Sequence, residues 1–73
     1  MRYEVIREIF NSCSGNQMRD VFVTTEEIDN PEIYVKNMIK GNIEVFDVSE
    51  TSDGCIIDLS VDGLKQRFSF SED

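Results

Sequence analysis

The sequence predicts an α+β fold: a small β-β-α-β-β-β domain with a mainly antiparallel sheet and one helix packed on one face. Three observations predict it. Residues 3–10 and 19–25 are rich in β-branched and aromatic side chains, as strands are. Residues 30–41 carry the start and stop signals of a helix. Two Asp-Gly dipeptides, Asp53-Gly54 and Asp62-Gly63, each divide two β-like runs, and Asp-Gly is a strong signal for a tight hairpin turn.

The first strand reads Tyr-Glu-Val-Ile-Arg-Glu-Ile-Phe over residues 3–10. One face carries Tyr3, Val5, Arg7 and Ile9; the other carries Glu4, Ile6, Glu8 and Phe10. The second strand, Arg19 to Thr25, sets Val21 and Val23 on one face and Phe22 on the other. Strands apolar on both faces lie centrally in a sheet or are covered on the second side. One short helix cannot cover two faces. A protein partner is therefore expected, with self-association the simplest form.

Between these strands lies Asn11-Ser12-Cys13-Ser14-Gly15-Asn16-Gln17-Met18. A hairpin needs only about two to five loop residues, and this segment holds more. Amides flanking Gly15 could form a concave anion nest, with Arg19 adding charge and Asn11, Asn16 and Gln17 adding donors. Residues Asn11, Ser12, Cys13, Ser14, Gly15, Asn16, Gln17 and Arg19 are thus a candidate ligand-binding set for a small phosphate or carboxylate. Cys13 is the one candidate nucleophile, and its thiolate would rest on amides and Arg19 alone. The commoner explanation of such a segment is turn chemistry, since Ser, Asn and Gly favour local hydrogen bonds and positive φ.

Glu26, Glu27 and Asp29 form an acidic run, read first as a solvated connection into the helix. Asn30 is a good N-cap, and Pro31 sits where a missing N–H costs nothing. Asp29 is the rival cap, paired with Glu32 in a capping box and with Ile28 and Ile33 as a staple. Val35, Met38 and Ile39 form an i, i+3, i+4 stripe with Ile33 nearby. Gly41 can close the helix in the left-handed conformation.

Strands at 43–50, 55–61 and 64–70 complete the sheet. A two-residue turn at Asp62-Gly63 sets Val61 opposite Leu64, Leu59 opposite Gln66, Ile57 opposite Phe68 and Cys55 opposite Phe70. On the reverse face Asp58 meets Arg67, a favourable cross-strand pair. A turn at Asp53-Gly54 would set Phe46 opposite Val61 and Val48 opposite Leu59. Glu50 opposite Ile57 fits less well, which points to a bulge or longer turn near Ser52. The helix stripe seats on this apolar face. Ile43, Val45 and Ile56 fall on the other, as a patch suited to a partner if they cluster. Residues 71–73 read as a frayed tail.

At 73 residues the chain has room for a single domain, 1–73, with a thin core. The net charge of −8 argues against a nucleic-acid backbone as partner and favours basic ones. No apolar run approaches membrane-spanning length, and no signal peptide opens the chain, so no membrane and a cytoplasmic setting are expected. Cys13 and Cys55 are read as reduced thiols, with Cys55 packed in the core. No His is present, which removes most zinc sites and the usual near-neutral base. The glycines match no phosphate loop, and residues 47–58 have Gly at the wrong offset for a calcium hand. No metal, cofactor or catalytic set is expected. The reading is a small acidic interaction or accessory protein, with the anion-binding loop and Cys13 thiol chemistry as alternatives.

Overall fold

The computed structural model describes the backbone of residues 1–13 and 16–73, and the side chains of residues 1–10 and 19–73. The elements are β1 (Arg2–Cys13), β2 (Asn16–Glu27), α1 (Pro31–Met38), β3 (Ile43–Thr51), β4 (Gly54–Val61) and β5 (Leu64–Glu72). They form one five-stranded sheet in the order β2-β1-β5-β4-β3, antiparallel at every junction. No parallel pairing occurs among the described strands, although a helix joins β2 to β3. The reason is distance: β2 and β3 occupy opposite edges, pointing the same way, and α1 is carried back across the sheet between them. At ~4.8 Å per strand that crossing is ~19 Å. Eight helical residues supply ~12 Å and the flanking chain the rest.

Asn30 caps the helix. Its Oδ1 accepts from the amides of Glu32 and Ile33 at 3.0 and 3.3 Å, and Pro31 stands at the first helical position. Ile28 is buried, whereas Ile33 is 56% exposed, so the expected staple does not seat this end. The helix stops at Met38, and Ile39 as C-cap is already extended. Gly41 therefore does not close it. With φ +144°, Gly41 lies against the β4–β5 turn, where a Cβ would come within 2.7 Å of the Asp62 carboxylate and 2.9 Å of Val61. Asn42 holds that turn from both sides: its amide donates to Asp62 Oδ1 and its carbonyl accepts from the Asp62 amide.

The β4–β5 hairpin has the register that the apolar pattern dictates, Val61↔Leu64 through Cys55↔Phe70. Asp62 and Gly63 both take positive φ, 50° and 81°, the signature of a type I′ turn. The β3–β4 turn is different. Thr51 faces Gly54, so Ser52 and Asp53 make the turn, and Phe46 faces Leu59 while Val48 faces Ile57. The pairing differs by two positions from an Asp53-Gly54 turn. An even shift leaves every side chain on its face. Gly54 has another duty, because a Cβ there would overlap the Phe70 carbonyl.

A bulge between Ile43 and Val45 turns Ile43 to the helix side, opposite Val61, and leaves Val45 on the other side opposite Ser60. Ile43, Val45 and Ile56 therefore do not form one patch. The tail is also ordered into the sheet. β5 runs to Glu72, whose amide donates to the Asp53 carbonyl, and the Asp73 amide donates to the Arg2 carbonyl.

The core lies between α1 and the strands beneath it. Val5, Ile28, Val35, Ile57, Leu59, Val61, Phe68 and Phe70 are buried, with Tyr34, Ile39, Ile43 and Phe46 packed against them. Phe68 and Phe70 stack at 6.3 Å, and Tyr3 and Tyr34 meet Phe70 edge-on. The seated helix face is thus Tyr34, Val35 and Ile39; Met38, expected inward, is 41% exposed.

Candidate functional site

The helix seats on the face that carries Ile57, Leu59, Phe68 and Phe70, with Val5 of β1 buried beside them, and leaves β2 open. Two consequences follow on β2. The strand is an edge, and its central triplet is exposed on both faces, with Val21, Phe22 and Val23 at 49, 53 and 61%. Between β2 and α1 runs a cleft of about 310 Å³ lined by Val5, Arg7, Phe22, Glu26, Tyr34 and Met38 among others. A second depression continues from it along the outer side of the helix, past Ile28, Ile33 and the acidic residues Glu27 and Asp29.

Arg7 organises the cleft floor. Strand alternation places it on the helix face, one row from Val5, opposite Phe22 on β2 and Phe68 on β5. Its guanidinium lies 5.2 Å from the Phe68 ring centre. Its Nε and Nη2 donate to Oε1 of buried Gln66 at 3.3 and 3.0 Å, and Nη1 approaches the Met38 sulfur at 3.7 Å. Among the described residues no carboxylate lies within ion-pair distance of it. The cation is held by the Gln66 amide oxygen and the Phe68 ring face instead. Tyr34 bounds the same cleft, and burial, reinforced by the Glu26 carboxylate, pushes its hydroxyl above the ordinary range against the pull of Arg7.

The opposite face of the sheet carries charge in pairs. Arg67 Nε donates to Asp58 Oδ1 at 2.7 Å, which raises the Arg67 pKa further and offsets the like-charge pairing of Asp47 with Asp58. Arg19 meets Glu8 at 3.2 Å, and Lys65 and Arg67 lie over the Phe10 ring. These residues read as a surface stitched across its strands.

The sequence-derived site falls at the β1–β2 turn. The backbone ladder continues through Asn11↔Met18, Ser12↔Gln17 and Cys13↔Asn16, so the backbone of residues 11–13 and 16–18 belongs to the strands. The side chains of Asn11, Ser12, Cys13, Asn16 and Gln17, and residues Ser14 and Gly15 altogether, lie outside the described residues. Arg19, the cation of that set, is paired with Glu8. Cys55 packs against the core, and burial, then Glu32 and Glu50, pushes its thiol up.

Sequence reasoning missed the cleft because it turned Met38 inward. One signal was available: Arg7 interrupts an otherwise apolar strand face. Among the described residues no group of three or more Cys, Asp or Glu side chains is placed to hold a metal ion. No described helix is long and apolar enough to cross a membrane. The cleft offers apolar surface, the Arg7 cation and the Glu26 carboxylate. No known protein family, no curated protein and no solved structure matches the chain.

Proposed function

We propose that this chain is a non-enzymatic interaction module that engages a protein partner through the β1–β2 half of its sheet. The observation that supports the reading is the exposed apolar triplet Val21-Phe22-Val23 on an edge strand beside an open cleft. Exposed apolar surface rimmed by charge is the usual character of a contact surface. The −8 charge and the rim of Glu26, Glu27 and Asp29 favour partners with basic flanks. The reading includes a cytosolic setting, since the two cysteines lie on the separate strands β1 and β4 and are read as reduced thiols.

A photo-reactive amino acid at position 23, expressed in cells, tests this, with the same group at Ser49 on the opposite edge as control. Adducts from position 23 well above those from position 49 are expected. An absence of adducts at 23, or equal labelling at both, overturns the reading.

A further inference from the structure

The two edges of the sheet are built differently. Natural edge strands avoid accidental pairing by being short, bulged or charged. β3 follows the rule: it has nine residues, a bulge at Glu44, and Asp47 and Glu50 along its length. β2 does not. It has twelve residues, no proline, unbroken register with β1 from Asn16 to Glu27, and its three central residues are apolar and exposed. The accessible surface points the same way. At 5006 Å² it exceeds the ~4600 Å² expected of a monomer of 8.4 kDa. The chain is elongated, 39 × 22 × 19 Å, and its one short helix leaves β2 exposed.

We infer that the occupant of this edge is the β2 strand of a second copy, paired antiparallel about a two-fold axis at Phe22 to give a continuous ten-stranded sheet. This rests on the interaction reading above and names its partner. The register is argued from the strand itself. A two-fold axis at residue 22 sets Phe22 opposite its own symmetry mate, Val21 opposite Val23, Asp20 opposite Thr24 and Arg19 opposite Thr25. Glu27 then lies diagonal to Arg19. Charge is confined to the ends of the strand, with Arg19 and Asp20 toward one and Glu26 and Glu27 at the other. Antiparallel self-pairing brings Arg19 of each copy, held by Glu8 of its own chain, toward Glu27 of its mate, while Asp20 lies diagonal to Glu26. Neighbouring registers are poorer. An axis at Val23 faces Arg19 with Glu27 but sets Asp20 against Glu26 and breaks the apolar pairs, with Phe22 against Thr24 and Val21 against Thr25; an axis at Val21 sets Phe22 against Asp20. Among the described residues β2 crosses to no element except β1, so the pairing requires no rearrangement.

Sedimentation of the purified chain over a range of concentrations tests this. It should be run at moderate salt, because −8 on each copy opposes association at low ionic strength. The mass should rise from 8.4 kDa toward twice that value. Val23→Lys, at an exposed position, should keep the native circular dichroism and stay monomeric throughout. With Cys13 and Cys55 changed to Ser, Phe22→Cys should form a symmetric disulfide under mild oxidant, and Ser49→Cys should not. Opposed residues in a ladder have the Cα spacing a disulfide needs. A wild type that is monomeric at every concentration overturns the inference, as does a dimer that Val23→Lys leaves intact or that cross-links through Ser49→Cys. If the wild type is monomeric while position 23 labels a different protein in cells, self-pairing fails and the interaction reading stands.

Discussion

The two halves of this sheet use similar residues to different ends. Under the helix, β4 and β5 bury Ile57, Leu59, Phe68 and Phe70. Beyond it, β2 carries Val21, Phe22 and Val23 in the open. Both sets have the β-branched and aromatic character that makes a strand. What separates them is the path of fifteen residues, 28–42, over the sheet. Apolar content specifies a strand; the covering element decides whether it becomes core or stays exposed.

Substitution of one phenylalanine in each half would break or sharpen this comparison most. Phe68→Ala removes a fully buried ring and should cost ~3–5 kcal/mol. That is a large share of the ~4–11 kcal/mol expected of a domain this size. Phe22→Ala, on an exposed ring, should cost less than about 0.5 kcal/mol in the monomer. Urea unfolding at low protein concentration measures both. Equal losses would mean that β2 is not open in solution.

A smaller effect is expected from the helix cap that holds the cover in position. Asn30→Ala removes the acceptor of two first-turn amides and should cost ~1 kcal/mol, while Asp29→Ala should cost only tenths. Thermal unfolding distinguishes them, and the reverse order would restore the Asp29 capping box.

The smallest effect concerns Cys55, on the covered half. Burial and two carboxylates raise its thiol pKa. In a Cys13→Ser background its alkylation should therefore rise at a higher pH in the native chain than in urea. The linkage has a definite sign. Where the unfolded thiol has already lost its proton and the folded one retains it, stability falls as pH rises. A native midpoint at or below the unfolded one would place Cys55 in solvent.

Much of this fold could be read from the chain because its signals were local. Asp62-Gly63 requires positive φ at adjacent positions, and alternation on either side then sets the whole β4–β5 register, including Asp58 opposite Arg67. Asn30-Pro31 marked the helix start for equally local reasons. The misreadings were places where a tertiary contact outweighed a local preference. Gly54 looked like a turn residue, yet it serves the close approach of the Phe70 carbonyl. Gly41 looked like a helix cap, yet it packs against Asp62. The bulge at Glu44, whose carboxylate accepts from the Gly63 amide at 2.6 Å, moved Ile43 across the sheet. The candidate site was legible only in part. Arg7 stood out on its strand, but its neighbours Met38, Tyr34 and Glu26 come from elements whose mutual placement no local signal records.

By itself, then, the sequence determined the type and order of the elements, the acidic composition and the β4–β5 part of the core, because side-chain period and turn chemistry act over a few residues. The tertiary structure decided the strand order β2-β1-β5-β4-β3 and the path of α1 across it. Those depend on which strands pair over long separations and on how far eight helical residues reach. That order makes β2 an edge, and that reach leaves it uncovered.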